Sequence, residues 1–283
     1  VNRRTSRAHA VVTGAGSGIG RAFALELARR GGTVVCADLD EATAKETVVL
    51  IEQAGGEAIA VACDVAVEQQ VRQLSETASA WFGRTPDLVV NNAGIGAGGL
   101  PVGDAPLDDW QRTLGVNLWG VIHGCHVFVP LLRERGRGGV INVASAAGFT
   151  AAPRMAAYNV SKAGVVSLSE TLAAELTGTG IAVTVLCPTF VRTNIFGGEL
   201  IDPAAADLAR RIARLTGFSP ERVARLTLDA HDRGRLYVMP QLDAKALWRL
   251  KRLAPAPYAR VAGLMGRFAP EPETQPVPIE EER

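Results

Sequence analysis

The sequence predicts an α/β fold: a doubly wound, seven-stranded parallel sheet with helices on both faces, followed by a C-terminal helical extension. Three observations carry this expectation. Short apolar runs rich in Val, Ile and Ala alternate with amphipathic segments, and no hairpin signal lies between them. The first run passes directly into a glycine-rich turn and a helix. With 283 residues, 47% of them hydrophobic and 21% charged, the chain is long enough to bury one large core.

After a basic arm (Arg3, Arg4, Arg7), Ala8 to Thr13 reads as the first strand. It runs into Gly14-Ala15-Gly16-Ser17-Gly18-Ile19-Gly20 and a helix with Ile19, Phe23 and Leu27 on one face, closed by Gly31-Gly32. Strand, glycine-rich turn and helix set backbone N–H groups and a helix N-terminus against a pyrophosphate. The second strand, Thr33 to Ala37, ends at Asp38, 18 residues past Gly20. At that distance an acidic residue takes the adenine ribose hydroxyls and repels a 2′-phosphate. Asp38 also reads as a cap for the helix that begins near Glu41, and the two roles are compatible. A helix from Glu41 to Gln53, a stop at Gly55-Gly56 and a strand from Ala58 to Cys63 complete this Rossmann half, with Asp64-Val65 at the strand's end. A helix from Val67 to Phe82 and a strand from Asp87 to Val90 lead to Asn91-Asn92-Ala93-Gly94.

Gly96 to Gly103 is a glycine-rich loop that either borders a substrate or merely connects. The long helix from Leu107 to Arg135 carries Asn117 in its middle, an uncommon place for Asn unless its amide meets a partner. His123 and His126 on this helix lack a third ligand, so packing or surface roles are expected and no metal is. The strand Gly139 to Ala144 delivers Ser145 at the sheet edge where ligands of α/β folds bind. No GxSxG elbow surrounds Ser145, so its hydroxyl is read as a partner for a substrate oxygen, not as a hydrolase nucleophile.

Tyr158 follows 13 residues after Ser145, and Lys162 stands one helical turn later on the same face. A cation about 4 Å from a phenol is worth roughly 4 kcal/mol at an effective dielectric of about 20, enough to lower it by up to ~3 units before desolvation opposes. An aromatic and a lysine four apart also arise by chance on any helix. The sixth strand, Ile181 to Leu186, ends at Cys187 to Thr193. Phe149, Met155, Phe190 and Phe196 suggest an apolar substrate pocket, although apolar residues at helical spacing also serve plain core packing. Ser219-Pro220-Glu221 starts another helix, and Arg235 to Met239 reads as the seventh strand.

The balance of 30 Lys+Arg against 29 Asp+Glu gives a formal net charge of +1, with no footprint for nucleic acid. Mean hydropathy is +0.13. Cys36, Cys63, Cys125 and Cys187 stand alone in apolar surroundings, as reduced thiols do. No secretory segment and no uncharged bilayer-length run is evident, and a cytoplasmic location is expected. The expected organisation is one Rossmann domain over 1–240 with a substrate region at 190–217, a helical extension over 241–269, and an acidic, proline-rich tail over 270–283. Basic residues and Trp248 in the extension leave a peripheral membrane contact open; a cover for the pocket or a subunit boundary accounts for them better.

TGAGSGIG, Asp64-Val65, NNAG and the Tyr158/Lys162 pair, in this order and spacing over roughly residues 8 to 240, resemble the short-chain dehydrogenase/reductase family. The resemblance implies hydride transfer between NAD and a secondary alcohol or ketone, with Asn117, Ser145, Tyr158 and Lys162 catalytic and Asn117 supporting a water relay. It implies cofactor contacts from Gly14, Ser17, Gly18, Ile19, Gly20, Asp38, Asp64, Val65, Asn91, Ala93, Gly94, Tyr158, Lys162, Pro188, Val191 and Thr193. Substrate would meet Ser145, Phe149, Met155, Tyr158, Phe190 and Phe196. NAD is expected over NADP because of Asp38, Ser17 and the lack of a basic residue at 39. The family usually has Pro-Gly where this chain has Pro188-Thr189, and threonine tolerates a left-handed φ poorly. Homodimers or homotetramers are the family's usual assemblies. A catalytically silent, NAD-binding regulator is the alternative from another class, but such a protein would usually have lost Tyr, Lys or Ser.

Overall fold

A computed structural model describes residues 4–267; the proline-rich run at 270–283 lies outside them. The strands are β1 (His9–Thr13), β2 (Thr33–Asp38), β3 (Glu57–Ala62), β4 (Leu88–Asn91), β5 (Gly138–Val143), β6 (Ile181–Leu186) and β7 (Tyr237–Val238). The helices are α1 (Gly18–Arg29), α2 (Glu41–Gln53), α3 (Glu68–Phe82), α4 (Leu107–Arg135), α5 (Ala147–Thr150), α6 (Ala156–Glu175), α7 (Pro203–Thr216), α8 (Pro220–Asp232), α9 (Leu242–Leu253) and α10 (Pro255–Gly266). All seven strands are parallel, in the order β3-β2-β1-β4-β5-β6-β7. The chain winds outward from β1 to β3, returns to the middle at β4, and then winds the other way. A ligand crevice belongs at that reversal, above the C-terminal strand ends.

The strands are continuous apolar runs because both faces are covered. On one side Val12, Val34, Cys36 and Ile141 pack against Phe23 and Leu27 of α1, Ile51 of α2 and Leu228 of α8. On the other, Val11, Val35, Val89 and Val140 meet Leu74 of α3, Phe128 and Leu132 of α4, and Val165 and Leu172 of α6. The four cysteines are free and buried.

Several helix ends follow their sequence signals, and some do not. Ser219 caps α8, accepting from the Arg222 N–H, with Pro220 in the first turn. The cap of α2 is Asp40, accepting from the Ala42 N–H at 2.9 Å, and not Asp38. Pro255 and Pro257 open α10, because proline in a first turn has no helical N–H bond to lose. The seventh strand shrinks to two residues. By length and composition α4 is apolar enough to cross a membrane, a feature missed in the sequence, and 44% of its apolar window is buried inside the protein against α3, α6 and the sheet.

An ion-pair network ties the N-terminal arm to α1 and α8. Arg30 pairs with Glu26 at 2.9 Å, Asp229 at 2.7 Å and Asp232 at 3.3 Å, and Thr5 donates to Asp232 from both its N–H and its hydroxyl at 2.9 Å. Asp232→Ala strands these donors. It is expected to lower unfolding free energy by about 2–3 kcal/mol, less than the ~3–5 of an isolated buried pair because Arg30 keeps two other carboxylates. Asp229→Ala, whose side chain is 39% exposed, is expected to cost under about 1 kcal/mol in the same urea titrations.

Candidate active site

Ser145, Tyr158 and Lys162 converge at the C-terminal edge of β5. The Ala144 N–H donates to the Leu186 carbonyl at 2.8 Å, so sheet register persists one step past Val143 and Ser145 emerges at the rim. The Ser145 hydroxyl donates to the Pro188 carbonyl at 3.4 Å and accepts from the Ala147 N–H at 3.2 Å. Between Ser145 and Tyr158 the chain passes Ala151 and Arg154, two non-glycine residues in the left-handed region, at φ 51° and 60°. Each such conformation costs roughly 1–2 kcal/mol. The link ends in α6, which brings the Tyr158 phenol close enough to Ser145 for that side chain to pull its pKa down.

Lys162 is 3% exposed; its ammonium donates to the Val143 carbonyl at 3.2 Å and lies 5.7 Å from the centre of the Tyr158 ring. Burial lowers its pKa to about 8, with Cys187 acting weakly in the opposite direction. The same desolvation raises the Tyr158 phenol, and the Ser145 side chain offsets part of that. The expected lysine-driven lowering of the phenol is therefore absent in the chain by itself. The ammonium is turned to a carbonyl, and burial disfavours phenolate and ammonium alike.

Asn117 is fully buried in a π-turn, Gly115–Trp119, that interrupts α4. Its amide accepts from the Ile95 N–H at 2.8 Å and donates to the Ile95 carbonyl at 2.9 Å. This clamps the strand-end loop beside Gly94, where a side-chain carbon on Gly94 would stand 3.0 Å from the amide and 3.4 Å from the Lys162 ammonium. With the amide so occupied, a water relay at Asn117 would have to use its backbone.

The other end of the crevice is the glycine-rich turn. Gly14 has φ +64°, and a side-chain carbon on Gly20 would stand 1.9 Å from the Gly14 carbonyl, so the turn folds tightly onto the start of α1. Ser17 precedes α1 without a side-chain capping bond, and the first turn, Gly18, Ile19 and Gly20, carries no acidic residue. Unpaired N–H groups at a helix N-terminus suit a pyrophosphate. Asp38 reaches this turn: its carboxylate accepts from the Gly16 N–H at 2.8 Å and the Asp40 N–H at 3.1 Å. These bonds leave lone pairs for a ribose diol, and the residue at 39 is an exposed leucine. The donor set and the anion cradle fit a nicotinamide dinucleotide.

Asp64 caps the turn after β3, accepting from the Ala66 N–H at 2.9 Å, and Val65 is buried against Gly120. Asn91 departs from expectation. Its side chain turns into the core and donates to Asn142 at 2.9 Å, so it faces away from the crevice. The residue that binds the glycine-rich turn is Asn92, whose amide donates to the Thr13 and Gly14 carbonyls at 2.8 and 3.2 Å, while Thr13 accepts from the Asn92 and Ala93 N–H groups. Neighbouring strand residues point to opposite faces, so NNAG could send only one asparagine to the turn.

Phe190 and Phe196 approach at 6.1 Å between ring centres. Phe149 is half-buried against the core, and Met155 sits at the start of α6 beside Gly98. The 96–103 loop is tied on both sides: the Gly98 N–H donates to the Leu200 carbonyl, the Gly99 N–H to the Arg154 carbonyl, and the Asp202 N–H to the Gly98 carbonyl. Thr189 is not among the left-handed residues, so the loop after β6 takes a path that tolerates threonine. His123 bonds the Val65 carbonyl at 2.9 Å and leans on Trp119, whereas His126 is exposed. Among the described residues no group of three His, Cys, Asp or Glu is placed to hold a metal.

The family model for short chain dehydrogenases matches residues 8–202. The chain is 38% identical over 264 residues to the probable oxidoreductase EphD of Mycobacterium tuberculosis, covering 89% of this chain but 44% of EphD, so it spans under half of that relative's length. It is 37% identical over 238 residues to the 1-deoxy-11-beta-hydroxypentalenate dehydrogenase of Streptomyces exfoliatus, covering 83% of this chain and 84% of that one. Its fold is similar to a short chain dehydrogenase/reductase from Burkholderia phymatum solved in complex with NAD, with TM-score 0.80, 35% identity, and 94% and 97% of the two chains covered.

Lys162 weakens the fold at neutral pH. Below pH 8 the folded and unfolded chains both hold its proton and the full burial penalty stands; from about 8 up to the ordinary 10.5 the unfolded chain holds more protons and stability rises with pH. Lys162→Met is expected to raise the unfolding free energy of the nucleotide-free protein at pH 7, by on the order of 3 kcal/mol at most, and its urea midpoint with it. The gap between variant and wild type should narrow from pH 8 to 10.5, and a constant gap would contradict this account.

Proposed function

The chain belongs to the short chain dehydrogenase family of oxidoreductases, and from that premise we propose that it moves a hydride between NAD and a secondary alcohol or its ketone. The observation that carries the reading is the convergence at the sheet edge of Ser145, Tyr158 and the buried Lys162, whose ammonium lies 5.7 Å from the centre of the Tyr158 ring. When bound, the nicotinamide supplies the hydride acceptor or donor.

In oxidation Ser145 holds the substrate oxygen and Tyr158 takes the alcohol proton. A phenol raised by burial does this only if a positive charge meets the developing phenolate, and Lys162 is the nearby cation able to supply it. In reduction the phenol returns the proton to the carbonyl oxygen. Asn117 fixes the loop beside Lys162 and so keeps the ammonium in place. Gly14, Ser17, Gly18, Ile19 and Gly20 would hold the pyrophosphate, Asp38 the adenine ribose, and Asp64, Val65, Ala93 and Gly94 the adenosine side of the crevice, with Pro188, Val191 and Thr193 facing the nicotinamide side. Asp38 and the exposed Leu39 support NAD over NADP, as does the NAD-bound structural relative. The relative named for dehydrogenating a hydroxypentalenate supports an alcohol substrate. Phe149, Met155, Phe190 and Phe196 support an apolar one.

Four free, buried thiols support a reducing compartment such as the cytoplasm. Trp119 on α4 and Val160 on α6 are large apolar residues 53% and 49% exposed, which supports a homo-oligomer joined through these helices. Calorimetry with NAD and NADP, followed by a panel of secondary alcohols monitored through NADH absorbance, tests the reading. Tyr158→Phe is expected to keep NAD binding and to lose at least about 100-fold in turnover. Turnover that survives this change, or tighter binding of NADP, would contradict the catalytic and the cofactor assignment respectively.

A further inference from the structure

The segment from Pro188 to Thr193 spans the crevice. At one end the Pro188 carbonyl accepts from the Ser145 hydroxyl and from the Ala146 N–H at 2.8 Å. At the other, the Thr193 methyl lies 3.1 Å from where a side-chain carbon on Gly18 would stand, over the first turn of α1. A molecule reaching from the glycine-rich turn to Tyr158 therefore runs along this segment.

The segment is gripped from outside by the residues that lead into α9. Gln241 is 5% exposed. Its amide oxygen accepts from the Thr189 N–H at 3.3 Å, and its amide nitrogen donates to the Phe190 carbonyl at 2.8 Å. A carboxamide serves a backbone donor and a backbone acceptor together, from two different atoms. The Thr189 hydroxyl, absent from a glycine, donates to Asp243 at 3.2 Å. From this anchor α9 packs against α5, directly after Ser145, and Gly266 at the end of α10 meets Pro153 in the link before Tyr158.

We propose that Gln241 and Asp243 are positioning residues that set the Ser145 end of this segment through Thr189 and Phe190, and with it the nicotinamide half of the dinucleotide pocket. The extension is then part of the cofactor site. This rests on the functional reading above.

Calorimetry with two probes separates the possibilities. NAD spans the whole pocket, whereas ADP-ribose lacks the nicotinamide. Gln241→Leu is expected to weaken NAD about tenfold, the equivalent of a hydrogen bond worth ~1.4 kcal/mol, and to leave ADP-ribose within about twofold. Gln241→Glu keeps the acceptor for Thr189 and loses the donor to Phe190, so it should fall between Gln241→Leu and wild type. Thr189→Val and Asp243→Ala should each weaken NAD, and the double variant should be no worse than either single one. If Gln241→Leu fails to fold, the Glu variant and the Thr189/Asp243 cycle still decide the matter. Equal loss of NAD and ADP-ribose would reduce Gln241 to a general structural role and overturn the proposal, as would unchanged NAD binding. A wild-type protein that binds no nicotinamide nucleotide would overturn the functional reading itself.

Discussion

Seven parallel strands whose order reverses between β1 and β4 bring every strand end that matters to one edge. The glycine-rich turn follows β1, Asp38 closes β2, Asn92 follows β4, Ser145 follows β5, and the Pro188 segment follows β6. None of these groups is near another in sequence. A parallel sheet needs a crossover helix for each return, and those helices supply the remaining parts: the N-terminus of α1, Asn117 on α4, and Tyr158 with Lys162 on α6.

What the site can do depends on desolvation. A lysine buried to 3% exposure loses most of its hydration, and its single carbonyl partner does not restore it. The fold tolerates this strain together with the left-handed backbone of Ala151 and Arg154 a few residues away. Strain gathered at one rim while both faces of the sheet are well packed is the distribution expected where a working site sits on a stable scaffold. An ammonium held beside a phenol in low dielectric is a modest contact while the phenol is neutral. It becomes strong once a phenolate forms, which is when the proposed proton transfer would need it.

The residues after β7 extend the same logic. Thr189 stands where a glycine is usual in the family, and the position is made compatible by an ordinary backbone path and by Gln241 and Asp243, which accept its N–H and hydroxyl. Substitution at 189 and extension after 240 are thus physically joined. From sequence, a cover for the pocket or a subunit boundary accounts for the extension better than a membrane contact. The contacts of α9 and α10 with Thr189, α5 and Pro153 give part of the extension a place beside the site.

The sequence by itself determined the local elements and the types of chemistry. Apolar runs marked six strands within a residue or two, glycine spacing marked the turn, and a strand end and the helical period placed Ser145, Tyr158 and Lys162, which the family resemblance singled out. Asp38, Asp40, Asn91 and Asn92 show where that reach stops. Two aspartates stand two residues apart, and only the tertiary arrangement decided that Asp40 caps α2 while Asp38 reaches back to Gly16. Two asparagines are adjacent, and pairing with β5 decided which one enters the core. The protonation balance of Tyr158 and Lys162 was decided in the same way. Coulomb attraction is legible from a spacing of four, but desolvation depends on how many distant elements close over the pair, and that quantity exists only once the sheet and helices have packed.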